Sequence, residues 1–286
     1  MTGELAGQVA LITGGGRGIG QAIAETYAAE SAAVAVMARS RDQLEETVAA
    51  ITDAGGRALA VTGDVSDRRD VEQAVAATER QLGPITLLVN NAGISGPFGP
   101  LWEVEPDWWW RTMEVHLHGA FLCARAVLPG MIANGGGRII TVASRAAERV
   151  GPNASAYALA KAAQIRLTEH IAADGRAHGI RAFVIHPGFI FTQLGVGAMA
   201  RDDTRQWQPE FHQRLTELEQ HPEQGTPMEA VTNLCLFLAT GQGDALSGRY
   251  ISVDDDVAEL SRRVDIIEQD DLYTLRLRGL AEVPAP

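Results

Sequence analysis

Tyr157 and Lys161 stand four residues apart in Tyr157-Ala158-Leu159-Ala160-Lys161, a helical stretch, so both side chains leave one helix face a turn apart. An unperturbed tyrosine has a pKa of roughly 10, too high for ready proton exchange near neutrality, and an adjacent ammonium favours the phenolate and lowers it. The lysine thus makes a weak acid useful for proton transfer. Ser144 ends the apolar run Ile139-Ile140-Thr141-Val142-Ala143-Ser144. That is the carboxyl edge of a strand, where open parallel sheets bind ligands and where a hydroxyl can donate to a carbonyl oxygen as charge builds on it.

A second constellation lies near the N-terminus. Thr13-Gly14-Gly15-Gly16-Arg17-Gly18-Ile19-Gly20 follows the first apolar run and precedes a helix-forming segment, Gln21 to Glu30. Glycines let a backbone turn tightly against a pyrophosphate, whose charge meets the free amides of a helix N-terminus. A dinucleotide is the expected ligand. An NAD site places a carboxylate at the end of the second strand to accept from the ribose hydroxyls; here that place holds Ala38, followed by Arg39 and Ser40. Arg39, with Arg17 from the turn, can contact a 2′-phosphate. NADP(H) is therefore the expected cofactor and NAD(H) the alternative, against the plainer view that Arg39 and Arg41 are solvated charges with Asp42 as a local partner.

These side chains need a sheet to position them. Apolar, β-rich runs at Val9 to Ile12, Ala33 to Met37, Ala58 to Val61, Ile85 to Val89, Arg138 to Val142, Arg181 to Ile185 and Arg249 to Val253 alternate with helical patterns. The fold class implied is α/β, a doubly wound Rossmann-like parallel sheet of seven strands with helices on both faces. Ser66 or Asp67 caps a helix running to about Leu82, and Pro106 and Asp107 open another that reaches about Val127 before Pro129. No linker or repeat divides the chain. Residues 1–255 form one domain, with a lid segment at 191–226 and a C-terminal extension at 256–286. In that extension Val257, Leu260, Val264 and Ile267 share a helical stripe; Tyr273, Leu275 and Leu277 alternate with Thr274, Arg276 and Arg278 as in a half-buried strand.

Composition narrows the partners. The 286 residues carry a net charge of −12, which opposes binding to nucleic acid or an anionic membrane. Cys123 and Cys235 sit in apolar helical runs and fit inert packing in a reducing cytosol; no metal-spaced cluster occurs. The first residues lack the features of a secretory signal and no uninterrupted apolar run spans a bilayer, so a cytoplasmic protein acting on a small molecule is expected.

Over roughly residues 7–255 the chain resembles a single-domain short-chain dehydrogenase/reductase. The matching motifs are the glycine turn, Asp64-Val65, Asn90-Asn91-Ala92-Gly93, Ser144 with Tyr157 and Lys161, and Pro187-Gly188 followed by Thr192. The resemblance implies an oxidoreductase, a ketoreductase or secondary alcohol dehydrogenase, moving a hydride between nicotinamide and a carbonyl or alcohol carbon. Asp64 and Val65 would hold adenine, Asn90 to Gly93 would line the cofactor cleft, and Pro187, Gly188, Ile190 and Thr192 would grip the carboxamide. Ser144 would orient the substrate, Tyr157 would exchange its proton, and Lys161 would bind the nicotinamide ribose. Substrate would lie near Phe98, Trp102 and the lid, an apolar and aromatic lining that suits a hydrophobic or ring-bearing compound. Arg145 could attract an anionic group. Phe211, Leu215 and Leu218 fit lid packing better than substrate contact. A homodimer or homotetramer is implied, and one or more of Trp108, Trp109 and Trp110 could serve its interface.

His116 departs from the family, which has an asparagine there supporting a water relay to the lysine. Either the relay uses the backbone carbonyl and histidine serves, or His116 is a packed residue with one satisfied nitrogen. Phe183 and Asp254-Asp255-Asp256 also depart from the usual pattern. The competing function, a noncatalytic cofactor sensor or scaffold, would be free to lose Tyr157 or Lys161, and this chain retains both.

Overall fold

The computed structural model describes residues 3–277. All seven expected strands form, as β1 (Val9–Thr13), β2 (Ala33–Ala38), β3 (Arg57–Thr62), β4 (Leu87–Asn90), β5 (Gly137–Val142), β6 (Ile180–His186) and β7 (Tyr250–Ser252). They make one parallel sheet in the order β3-β2-β1-β4-β5-β6-β7. Because β1 pairs β2 on one side and β4 on the other, the chain leaves the sheet in opposite directions there, and the carboxyl ends of β1 and β4 diverge into a crevice.

Both faces of the sheet are covered, which is why the strands read as continuous apolar runs. On one face Ile23 and Tyr27 of α1 (Gly18–Ala29) pack with Leu234 and Leu238 of the helix Met228–Thr240 against Ile12, Val36 and Ile140. On the other, Val71 of α3 (Arg68–Leu82) and Val127 of the helix Gly119–Ala133 cover Leu11, Leu88 and Ile139. Between α1 and α3, α2 (Arg41–Asp53) packs on β3. Cys123 and Cys235 are both buried and free. Asp67 caps α3, its side chain accepting from the Arg69 and Asp70 amides.

The helix that Pro106 opens differs from the sequence expectation. It runs as α4 (Pro106–Met113), a π-helical turn (Glu114–His118) and α5 (Gly119–Ala133). It does not stop before Pro129, which lies inside α5. One missing N–H donor is offset by burying Val127 and Met131 on either side. After α6 (Ser155–Gly175) and β6 comes the lid, made of α7 (Gln193–Met199), α8 (Asp202–Trp207) and α9 (Pro209–Gln220), then α10 (Met228–Thr240).

Beyond β7 the helical stripe of the extension holds. Leu260 on α11 (Val257–Arg262) and Ile267 on α12 (Val264–Gln269) are buried in the main core. The strand expected after it does not form. Asp271 and Tyr273 adopt positive φ of 48° and 60°, which breaks an extended run, and Leu277 is 99% exposed. Side-chain pairs fix this segment instead: Asp271 accepts from Arg249 (2.7 Å) and Arg276 (2.5 Å), while Arg276 also reaches Glu169 (2.8 Å). The Tyr273 carbonyl accepts from the Tyr250 amide on the outer edge of β7 (2.9 Å). Arg278 and the rest of the proposed extension to 286 lie outside the described residues.

Candidate functional site

The glycine turn is shaped by what a side chain would strike. Gly14 and Gly18 have φ of +66° and +58°. A Cβ on Gly20 would stand 2.4 Å from the Gly14 carbonyl oxygen. The first turn of α1 therefore presses directly on the loop, and its N-cap, Arg17, is extended and makes no side-chain cap. Amides left free at a helix N-terminus beside bare backbone are suited to a pyrophosphate. The residues present fit a nicotinamide dinucleotide.

A cavity of about 1240 Å³ runs from this turn across the carboxyl edge of the sheet to the lid. Of the residues expected to bind cofactor, it is lined by Gly14, Arg17, Gly18 and Ile19; by Arg39, Ser40, Asp64 and Val65; by Asn91, Ala92 and Gly93; and by Pro187, Gly188, Ile190 and Thr192. Three residues expected there lie off its lining. Thr13 is buried beneath the turn, where its hydroxyl donates to Val89 O (3.2 Å) and accepts the amides of Asn91 (3.0 Å) and Ala92 (3.1 Å). Asn90 is buried under the cleft with neither side-chain atom partnered among the described residues. Gly20 lies behind the lining, closing the helix on the loop.

Ser144, Tyr157, Lys161 and His116 all line this cavity. The Ser144 hydroxyl, at the end of β5, accepts the Ala146 amide (3.2 Å). Lys161 is buried at the second turn of α6, its Nζ donating to Val142 O (2.7 Å) and lying 5.6 Å from the Tyr157 ring centre. Burial lowers the Lys161 ammonium to about 7. Burial raises the Tyr157 phenol, and the opposing influence is a hydrogen bond with Ser144 rather than the ammonium expected from the sequence. One of the three Lys161 donors is committed to a backbone carbonyl.

His116 occupies the π-helical turn, where the chain bulges so that the Gly119 amide donates to Glu114 O. Its ring lies edge-on to Tyr157 with centres 5.3 Å apart. Nε2 meets the Ile94 amide (3.1 Å) and carbonyl (2.8 Å), and Nδ1 is buried without a partner among the described residues. Burial, aided by the charge of Lys161, lowers the imidazole to about 3. The backbone carbonyl of His116 already accepts Gln164 Nε2 (2.7 Å). This geometry fits the packed alternative. Gly93 is its complement, since a Cβ there would stand 2.5 Å from the imidazole.

Toward the lid Phe98 lines the cavity, its ring 5.8 Å from Phe211, which is 6.0 Å from Phe189. Phe211 and Leu215, expected as packing, face the cavity, while Leu218 is fully buried behind it. Trp102 does not reach it: a turn closed on the Pro100 carbonyl by Glu103 and Val104 carries the indole outward, 84% exposed. Arg145 lines the cavity but pairs with Asp254 (2.9 Å), which offsets its attraction for an anion. Phe189 escaped sequence reading because only folding of the lid sets it beside Phe211. Among the described residues no group of three or more His, Cys, Asp or Glu is placed to hold a metal.

The lid is clasped at its base, where Phe189 N donates to Thr226 Oγ1 (2.9 Å) and Thr226 N to Phe189 O (2.9 Å). Its tip is held by Asp203, which accepts the Phe98 amide (3.0 Å) and pairs with Arg201. Arg201 stacks over Trp108 at 3.9 Å. Asn153 Nδ2 donates to Trp207 O (3.1 Å).

Residues 8–202 match the short chain dehydrogenase family model. The chain is 34% identical over 278 residues to a short chain dehydrogenase of Monascus purpureus, covering 95% of this chain and 89% of that one. Among solved structures it resembles levodione reductase, with a TM-score of 0.79, 30% identity and coverage of 87% and 97% of the two chains. It also resembles 7α-hydroxysteroid dehydrogenase complexed with NADH and 7-oxo glycochenodeoxycholic acid, with a TM-score of 0.76, 31% identity and coverage of 87% and 93%.

Proposed function

Because this chain belongs to the short-chain dehydrogenases, NAD(P)-dependent oxidoreductases of alcohol and carbonyl groups, we propose that it is an NADP(H)-dependent ketoreductase or secondary alcohol dehydrogenase with Tyr157 as general acid and base. The observation carrying this reading is the meeting of Ser144, Tyr157 and Lys161 on one cavity that also receives the glycine turn. Bound there, the nicotinamide ring would supply or accept the hydride.

Ser144 Oγ donates to the substrate oxygen and fixes it beside Tyr157. In reduction the Tyr157 hydroxyl gives its proton to that oxygen; in oxidation the phenolate takes the proton back. Burial keeps the phenol protonated, which favours the acid role. Lys161, its ammonium lowered to about 7, can exchange a proton near neutrality and restore the phenol. His116 holds the Ile94 loop in place with a neutral ring.

The preference for NADP(H) is supported by Arg17 and Arg39, both exposed on the cavity rim, and by the absence of a carboxylate at Ala38-Arg39-Ser40. Phe98, Phe189 and Phe211 support a ring-bearing carbonyl or alcohol as substrate. Exposed Trp108, Trp110 and Phe121 on α4 and α5 support a homo-oligomer built across that face. Titration with NADPH and NADH, followed by reduced-nicotinamide fluorescence, tests the cofactor assignment against Arg39→Ala. Tighter NADPH binding that collapses in the variant is expected. Equal affinities would overturn the 2′-phosphate reading, and no binding of either would favour a noncatalytic protein.

A further inference from the structure

Asp64 and Arg111 are 47 residues apart in the chain and belong to different layers of the site. Asp64 follows β3 and lines the main cavity, whereas Arg111 lies on α4 and lines an adjoining recess of about 640 Å³ with Trp108, Trp110 and Glu114. Arg39 and Ile94 border both spaces, so the recess adjoins the cavity there.

The two side chains are joined by a dense set of contacts. Arg111 Nη2 donates to Asp64 Oδ2 (2.5 Å), and Nη1 to Ser66 Oγ (2.6 Å) and Glu114 Oε2 (3.2 Å). Ser66 in turn gives its amide (2.9 Å) and hydroxyl (2.7 Å) to Asp64 Oδ1. Burial would raise the Asp64 carboxyl, but the hydrogen bonds from Ser66 and Arg111 outweigh it and hold it below its ordinary value. The group is an ionised acceptor.

An ionised carboxylate offers about four acceptor positions. Ser66 takes both on Oδ1 and Arg111 takes one on Oδ2, which leaves a single acceptor on a residue that faces the cavity. Arg111, drawn to two carboxylates, is not a free cation for an anion in the recess; Arg39 beside it is the exposed one.

We propose that Arg111 is a positioning residue that holds Asp64 so that its one remaining acceptor selects a purine bearing an exocyclic amine. This rests on the reading that the cavity takes a nicotinamide dinucleotide with its purine end at Asp64 and Val65. A C6 amine donates to the carboxylate, whereas a C6 carbonyl at the same place sets acceptor against acceptor. Without the guanidinium only the Ser66 contacts to Oδ1 hold the carboxylate, Oδ2 loses its fixed partner, and the discrimination fades.

The experiment titrates wild type, Arg111→Met and Arg111→Lys with NADPH, NADH and reduced nicotinamide hypoxanthine dinucleotide phosphate, reading nicotinamide fluorescence, with melting of the dinucleotide-free proteins alongside. Wild type is expected to prefer NADPH over the hypoxanthine form. Arg111→Met weakens NADPH about tenfold, the worth of one hydrogen bond to a charged group, and leaves the hypoxanthine form within about twofold. Arg111→Lys falls between, and the NADPH to NADH ratio is retained in all three.

Equal weakening of both bases, or a lower melting temperature alone, would overturn the proposal. So would a fall in the NADPH to NADH ratio with base preference kept, because Arg111 would then be touching the phosphate. Were Arg111→Met not to fold, Ser66→Ala, which removes the hydroxyl bridging guanidinium and carboxylate, is read in the same way. If wild type binds no reduced dinucleotide, the proposed function itself falls and this inference with it; if it binds them but base preference ignores Arg111, only the inference falls.

Discussion

Below the cavity, Ser144 and Lys161 are set by β5 and α6, whose hydrogen bonds are buried and mostly backbone. Above it, residues 191–226 are held by polar side chains: Asp203 on the Phe98 amide, Asn153 on the Trp207 carbonyl, Arg201 across Trp108. On the function proposed above, the floor would fix where protons move and the lid what is admitted. Substitutions in the floor should therefore change kcat, and substitutions in the lid should change KM.

The strongest test of that division is Tyr157→Phe, which removes the proton and keeps the ring. Turnover should fall about a hundred- to ten-thousandfold, with NADPH affinity by fluorescence and melting temperature near wild type. A comparable rise in KM without loss of kcat would break the division. A second test concerns the cost of the floor's rigidity. His116 titrates near 3 in the fold against 6.5 for the free side chain. Between those values the unfolded chain binds a proton that the native one refuses, so stability present above pH 6.5 is lost as pH falls. The loss is at most about 1.4 kcal/mol per pH unit. His116→Asn should flatten that slope in urea unfolding measured from pH 6.5 to 4, and an unchanged slope would assign the acid sensitivity elsewhere.

The smallest expected effect lies in the lid. Asp203→Ala frees the Phe98 amide and Arg201, contacts worth about 1 kcal/mol or roughly fivefold in substrate KM, with kcat retained. A loss of kcat equal to the rise in KM would mean that the lid helps to place the reacting atoms.

The floor was legible in the sequence for the same reason that it is rigid. A glycine at position 14, 18 or 20 is demanded by backbone geometry and leaves a mark in the residue itself; the Tyr157 and Lys161 spacing is the helix repeat. What was not legible depended on side chains brought together by folding. Phe189 and Phe211 meet only where the folded chain brings them together near Phe98, Arg145 on the cavity is paired with Asp254, and Trp102 is carried outward by a turn on Pro100. His116 was visible as a departure, but its pairing with Ile94 and its match to the bare Cα of Gly93 required the π-helical bulge, which no periodicity announces. The tail misled because alternation of Tyr273, Leu275 and Leu277 satisfies a strand pattern while positive φ at Asp271 and Tyr273 forbids the strand.

That tail has a further effect on the sheet it touches. β7 is the last strand of the order, and an uncovered edge invites pairing with another chain. By accepting the Tyr250 amide, the Tyr273 carbonyl occupies a rung that would otherwise stand open. A protein shortened before Asp271 would lose the Arg249 anchor and leave the Tyr250 amide, one backbone donor, open at this edge of the sheet.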